Sequence, residues 1–219
     1  MKKRAGKAII LLVFFTRLFF CYSKIFIAVL QEKRMALTPS NMISLGTTAP
    51  DFELLNVVTN EKDSLAKLKG EKATAILFIC NHCPYVKHLE NAMVKVANEY
   101  LPKGVSFIAI SANDAEKFPE DAPEKMKENA LRLGFQFPYL YDETQAVAKA
   151  YDAACTPDIY VYDKDLKLAY RGQFDDSRPS NQIPPTGKDL ASALDAILQG
   201  NELPKIQKPS IGCNIKWKE

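Results

Sequence analysis

Two unbroken apolar runs dominate the pattern of the chain, ATAILFIC at 73–80 and GVSFIAIS at 104–111. Each has strand length, and neither alternates with polar residues, which predicts strands covered on both faces. Between them Val86, Leu89, Met93, Val96 or Ala97, and Tyr100 recur at helical spacing, predicting a helix over 84–101. A charged loop, ANDAEKFPEDAPEK, then leads to a helix over 123–133 with proline in its first turn. FPYLYD (137–142) reads as a short strand and 144–151 as a short helix. DIYVYDKDLKLAYRGQF reads as a hairpin turning at Lys164-Asp165, and 187–199 as an amphipathic helix stopped by Gly200. Residues 44–60 mix turn signals with short apolar alternation and predict only an opening segment. Strand, helix, strand and helix followed by a hairpin and a helix make an α/β layer fold with a mixed sheet. In such sheets function gathers at the carboxyl ends of the parallel strands.

Charge changes the picture at one end only. Residues 1–34 hold eight of the 29 Lys and Arg residues against Glu32 alone, so the remainder of the chain is mildly acidic despite a net charge of +3. That balance gives no ground for nucleic-acid binding. The basic excess flanks apolar residues 8–30, which are long enough to tether the chain to a membrane but place Arg17 near the middle, at a cost of about 2.5–3.5 kcal/mol. A signal peptide is the second reading, although no small-x-small cleavage site follows. The third starts translation at Met35. Residues 1–34 are therefore an anchor, a signal or a misassigned start. The protein is expected in the membrane or periplasm if they are translated, and in the cytoplasm if they are not. The globular domain is expected over 44–203, with 204–219 as a C-terminal tail. Oligomeric state is not legible.

The chemistry sits at the end of the first apolar run, in FICNHCPYV (78–86). Cysteines at a helix N-terminus feel unpaired N–H groups and the positive dipole end, which favour the thiolate. Cys80 is the expected nucleophile and Cys83 the buried resolving thiol, close enough in sequence to form a small disulfide ring. An imidazole at His82 favours the reduced thiolate and makes the disulfide more oxidising. Asn81 lies inside the motif, and the loop after the second strand brings Asn113 and Asp114 to the same side of the sheet. A metal site has too few ligands. His88 is the only other histidine, expected as a solvated helix residue, and no second C-x-x-C exists. Cys155 and Cys213 are candidate auxiliary thiols, with a buried inert cysteine as the plain alternative for Cys155.

A strand leading into CNHC and a helix, followed some seventy residues later by Thr156-Pro157 before a strand, resembles the thioredoxin superfamily. The opening GTTAPDF (46–52) is similar to the redoxin and alkyl-hydroperoxide-reductase branch, and PSIGCNIKW (209–217) to a tail in a subgroup of bacterial thioredoxin-like proteins. The resemblance spans about 44–217. It implies a thioredoxin-like fold with a central mixed β-sheet flanked by helices, and catalysis by Cys80, Cys83 and His82. It also implies a cis Pro157 facing the dithiol, with the backbone of Thr156 left available to an extended substrate.

The implied activity is thiol–disulfide exchange with substrate proteins or small thiols, with no cofactor beyond the redox-active disulfide and no metal. The chain departs from the thioredoxin pattern in having Ile79 where a tryptophan precedes the first cysteine and Thr74 where a buried acid stands; Asp114 and Glu90 are the substitutes on offer. A thiol-dependent peroxidase is the alternative enzyme, but Leu77 and Ala73 stand where the peroxiredoxin motif has its hydroxyl and proline. Arg171 is then either a peroxide-orienting arginine or a hairpin surface residue. A non-catalytic redox-sensing or metal-binding module is the third possibility.

Overall fold

The computed structural model describes residues 37–219, which form one compact unit. The expectations for 1–34, including a tether through 8–30, lie outside the described residues. Among those described, no helix is long and apolar enough to cross a membrane.

A seven-stranded mixed sheet forms the centre. Its strands are β2 (Glu53–Asn56), β3 (Glu61–Ser64), β4 (Ala73–Phe78), β5 (Val105–Ser111), β6 (Tyr139–Tyr141), β8 (Asp158–Asp163) and β9 (Leu168–Arg171). They lie in the order β3-β2-β6-β5-β4-β8-β9. The two apolar runs become β4 and β5, paired in parallel from Ala73↔Val105 to Phe78↔Ile110. Every residue of β4 is buried because the sheet is covered on both sides. Its side chains alternate between two cores, Ala75 and Leu77 facing one, Ile76 and Phe78 the other.

Among the described residues, five α-helices complete the layers: α1 (Leu65–Leu68), α2 (Pro84–Tyr100), α3 (Pro123–Leu133), α4 (Ala146–Ala150) and α5 (Lys188–Gln199). α2 buries Val86, Leu89, Met93, Val96, Ala97 and Tyr100, the stripe its spacing predicts plus Val94. α3 and α5 pack into the same core through Met126 and Leu190. The opening segment (44–60) contains β2, which pairs as a hairpin with β3 just beyond it, and the helix expected over 144–151 begins only after Gln145 in left-handed conformation (φ 63°).

A second, three-stranded sheet was not anticipated. β1 (Leu37–Pro39), β10 (Ile211–Asn214) and β7 (Cys155–Thr156) pair in the order β1-β10-β7, both pairings antiparallel. Residues 204–219 are thus no appended tail. β10 is the middle strand, held between an N-terminal strand and the two residues that precede Pro157. Gly212 is needed there, because a Cβ would lie 2.0 Å from the Thr156 carbonyl oxygen.

Arg171 is neither a surface residue nor directed at the dithiol. It is fully buried and pairs with fully buried Asp158 at 3.1 Å. Its guanidinium also donates to Ser40 Oγ (2.8 Å) and to the carbonyls of Tyr151 (3.3 Å) and Asp152 (3.2 Å), and lies 3.9 Å from the centre of the Tyr160 ring. Asp158 accepts from Ser40 Oγ (2.8 Å) and the Ala154 N–H (3.0 Å). Asp158→Asn leaves the guanidinium buried without its counter-charge, and urea denaturation should show a loss of about 3–5 kcal/mol.

Candidate active site

β4 ends at Phe78, and the chain runs Ile79-Cys80-Asn81-His82-Cys83 into α2. Cys83 is the N-cap of that helix and Pro84 its first residue. Proline suits that position, since its missing N–H would have had no intrahelical partner. The helix terminus therefore acts on Cys83 directly, whereas Cys80 stands three residues before it. Both sulfurs belong to the core between the sheet and α2, Cys80 at 1% and Cys83 at 0% exposure.

The two cysteines meet at Thr156, whose peptide bond to Pro157 is cis. Cys80 Sγ lies 3.4 Å from the Thr156 hydroxyl, and Cys83 Sγ lies 3.1 Å from the Thr156 carbonyl oxygen. The backbone of Thr156 is not open to a substrate strand. β10 pairs with it, placing Cys213 opposite Thr156 and Asn214 opposite Cys155. Cys213 Sγ consequently lies 2.8 Å from Cys83 Sγ, so three sulfurs, not two, form the cluster.

Proton affinity is divided unequally among them. A protonated Cys83 has the Thr156 carbonyl as acceptor. An ionised Cys83 receives hydrogen bonds from the thiols of Cys213 and Cys80 and from the Val86 N–H in the first turn of α2. Those donors, Cys213 foremost, draw its pKa well below the ordinary thiol value against the cost of burial. Burial pushes Cys80 up, with its bond to Cys83 acting in the same direction, while the Thr156 hydroxyl opposes. Cys213 is raised by its bond to Cys83 and then by burial. These contacts favour ionisation at Cys83 over Cys80 and Cys213.

His82 and Asn81 are organised by a residue that sequence reasoning passed over. Asp121, fully buried, closes the short 3-10 turn Pro119–Asp121 before α3. One carboxylate oxygen accepts the N–H groups of Asn81 (2.8 Å) and His82 (3.3 Å). The other lies 2.6 Å from His82 Nδ1 and accepts from the Asn113 amide at 2.8 Å. The imidazole stacks on Phe118 with centroids 5.1 Å apart. The Asn81 side chain donates to the Glu120 carbonyl (2.8 Å) and accepts from Tyr139 Oη (3.3 Å) and Asn129 (3.2 Å). The available signal was an acid in the loop leaving β5, but within FPEDAPEK nothing separates Asp121 from its solvated neighbours.

The other candidates fall elsewhere. Asp114 is buried and caps a turn, accepting the N–H groups of Glu116 and Lys117, and its own N–H donates to the Lys216 carbonyl. Glu90 pairs with Arg132 at 2.9 Å. His88 is half-buried on its helix, and its Nε2 lies 2.6 Å from Ser177 Oγ. Cys155, fully buried, is held by the Gly212 N–H and by a 3.5 Å contact to the Pro157 carbonyl, and burial raises its pKa. For a metal, the donor atoms of Cys80, His82 and Asp121 lie within 4.8 Å of one another, a three-ligand set that would have to displace the His82–Asp121 hydrogen bond.

No curated protein matches the chain. A crystal structure of an uncharacterized conserved protein from Geobacillus kaustophilus is 61% identical, covering 82% of this chain and 95% of its own, with a TM-score of 0.81. A hypothetical protein from Sinorhizobium meliloti is 46% identical over 83% of this chain and 98% of its own, with a TM-score of 0.80. The peroxidoxin BcpB of Mycobacterium tuberculosis shares the fold at 21% identity, covering 71% of this chain and 99% of its own, with a TM-score of 0.55. The model of the AhpC/TSA family matches residues 45–171. The fold is thioredoxin-like, and the chain belongs to the AhpC/TSA family.

Proposed function

We propose that the protein is a thiol–disulfide oxidoreductase acting through Cys80 and Cys83 on disulfide-bearing proteins or small thiols, with no cofactor beyond its own disulfide. The observation that carries this reading is the convergence of both sulfurs on Thr156 beside a cis proline. Cys80, as thiolate, is the nucleophile, with the Thr156 hydroxyl placed to donate to it; Cys83, whose surroundings favour its ionised form, is the resolving thiolate.

In the reducing direction, Cys80 Sγ attacks one sulfur of a substrate disulfide. A Cys80–substrate bond forms, and the substrate bond breaks as the other sulfur leaves as a thiolate. Cys83 then attacks Cys80 Sγ, releasing the second substrate thiolate and closing Cys80–Cys83. Two electrons pass from the protein to the substrate; the same steps reversed oxidise a dithiol. Asp121 acts here as a positioning residue, fixing the N–H groups of Asn81 and His82 between the two cysteines.

Membership of the family favours a second reading, peroxide reduction by Cys80. Against it, the only arginine offered for peroxide is locked to Asp158, and Leu77 supplies no hydroxyl three residues before Cys80. Insulin-type disulfide reduction that is abolished by Cys80→Ser supports exchange. Peroxide consumption lost in Cys80→Ser but retained in Cys83→Ser would establish the peroxidase instead.

Two further outcomes follow from the sulfur cluster. Ultraviolet thiolate absorbance of the reduced protein should persist well below pH 9.0, the ordinary value for a thiol, and the low-pH part should vanish in Cys83→Ser. The sign is that of a depressed pKa, with the thiolate lost only as pH falls through the lowered value. Because the same donors stabilise the reduced state, the reduction potential of Cys80/Cys83 should lie above the roughly −270 mV of thioredoxin. A value at or below that figure would make the protein a reductase of ordinary strength.

A further inference from the structure

The C-terminal strand occupies the place where an extended substrate would pair with Thr156, and it brings its own cysteine. We propose that Cys213 is a third redox thiol. It takes Cys83 from Cys80, so that the oxidised protein rests as a Cys83–Cys213 disulfide with Cys80 returned to the thiol. The proposal rests on the exchange reading above for the step that first oxidises Cys80 and Cys83.

Three features of the structure carry it. The sulfurs of Cys83 and Cys213 are 2.8 Å apart, so reaching the roughly 2.05 Å of a disulfide requires a shift of less than about 1 Å. The contact is built in by register, since Cys213 stands opposite Thr156 and Gly212 allows the two backbones to touch. The strand is also anchored beyond the cysteine. Ile215 N–H donates to the Ala154 carbonyl (3.2 Å), and Lys216 N–H to Asn113 Oδ1 (2.8 Å). Gln145 donates to the Lys216 carbonyl (2.9 Å) and accepts from Lys218 N–H (2.8 Å). Cys213 itself is 1% exposed. Cys155, the other auxiliary candidate, has its sulfur held by Gly212 and Pro157 and does not enter this relay.

The chemistry is an internal exchange. Cys213, as thiolate, attacks Cys83 Sγ of the Cys80–Cys83 disulfide. The Cys83–Cys213 bond forms, the Cys80–Cys83 bond breaks, and the electron pair leaves on Cys80. The proton given up by Cys213 ends on Cys80. The protein stays oxidised by two electrons throughout, so no external oxidant or reductant enters this step; an external dithiol later reduces the resting disulfide. Cys83 is the shared central sulfur, and the two flanking thiols compete for it.

The test uses the full chain. Reduced wild-type protein is treated with one equivalent of oxidised glutathione, quenched in acid, alkylated and mapped by peptide mass spectrometry. The expected result is a predominant Cys83–Cys213 linkage with alkylated Cys80. In Cys213→Ser the linkage should move to Cys80–Cys83, with loss of the label at Cys80. Gly212→Ala keeps every thiol but forces β10 away from Thr156, and should lower the yield of the Cys83–Cys213 linkage. A wild-type map showing only Cys80–Cys83 and alkylated Cys213 overturns the proposal while leaving exchange intact. Failure of the exchange reading shows separately, as insulin reduction that Cys80→Ser does not abolish. In that event a Cys83–Cys213 linkage formed in Cys80→Ser still supports the pairing, and its absence overturns it.

Discussion

The site depends on a buried ion pair that takes no part in its chemistry. Arg171 and Asp158 are both fully buried, and between them they gather Ser40 near the start of the described chain, the carbonyls of Tyr151 and Asp152, and the N–H of Ala154. Asp158 directly follows Pro157, so holding its carboxylate holds the cis-proline turn. The pair is not there for stability alone. Burial outweighs Arg171 in setting the Asp158 pKa, which lies above the usual carboxylate value. A buried pair under that penalty is better understood as fixing position than as adding free energy. What it positions is Thr156, and through Thr156 both Cys80 and Cys83 and the C-terminal strand.

From that fixed point the rest follows by close approach. β7 is only two residues long, and β10 pairs with it because Gly212 lets the backbones meet. Once the pairing forms, Cys213 has no choice of neighbour. Its alternation along the strand turns it toward Cys83, and the anchoring through Asn113, Gln145 and Ala154 keeps it there. Asp121 does the corresponding work on the other side, holding the Asn81-His82 segment by its N–H groups. The dithiol loop is thereby clamped between a carboxylate from the β5–α3 connection and a strand from the end of the chain.

How much of this the sequence showed depended on the range of each interaction. β4, β5 and α2 were legible because a buried strand or a four-turn helix writes a long periodic pattern. The dithiol and Thr156-Pro157 were legible as motifs. β1, β7 and β10, at two to four residues, are too short for any period, and their pairing joins positions more than fifty residues apart. Asp121 was hidden for a different reason. In a charged run a buried acid looks the same as a solvated one, and only the N–H groups it meets in the fold set it apart. Arg171 misled in the same way: its hairpin position suggested solvent, while its partners come from three other segments. Helix-terminus reasoning found the right loop, but no motif shows that the N-cap is Cys83 itself or that a third thiol lies against it.

The third sulfur alters what an acidic cysteine means at this site. In an isolated C-x-x-C pair, a depressed thiol pKa marks the nucleophile and measures the driving force of the disulfide. Here the Cys83 pKa is drawn down because two thiols and a helix N–H converge on it, and that convergence reflects its central place rather than its exposure to substrate. A central sulfur is the one both flanking thiols can attack. Stabilising its thiolate therefore weakens both of its disulfides, with Cys80 and with Cys213, and leaves their ratio to be set by the flanking sites. Cys80 is touched by the Thr156 hydroxyl and Cys213 by the geometry of β10, so the balance between a substrate-facing and a resting disulfide lies in how firmly the C-terminal strand is held.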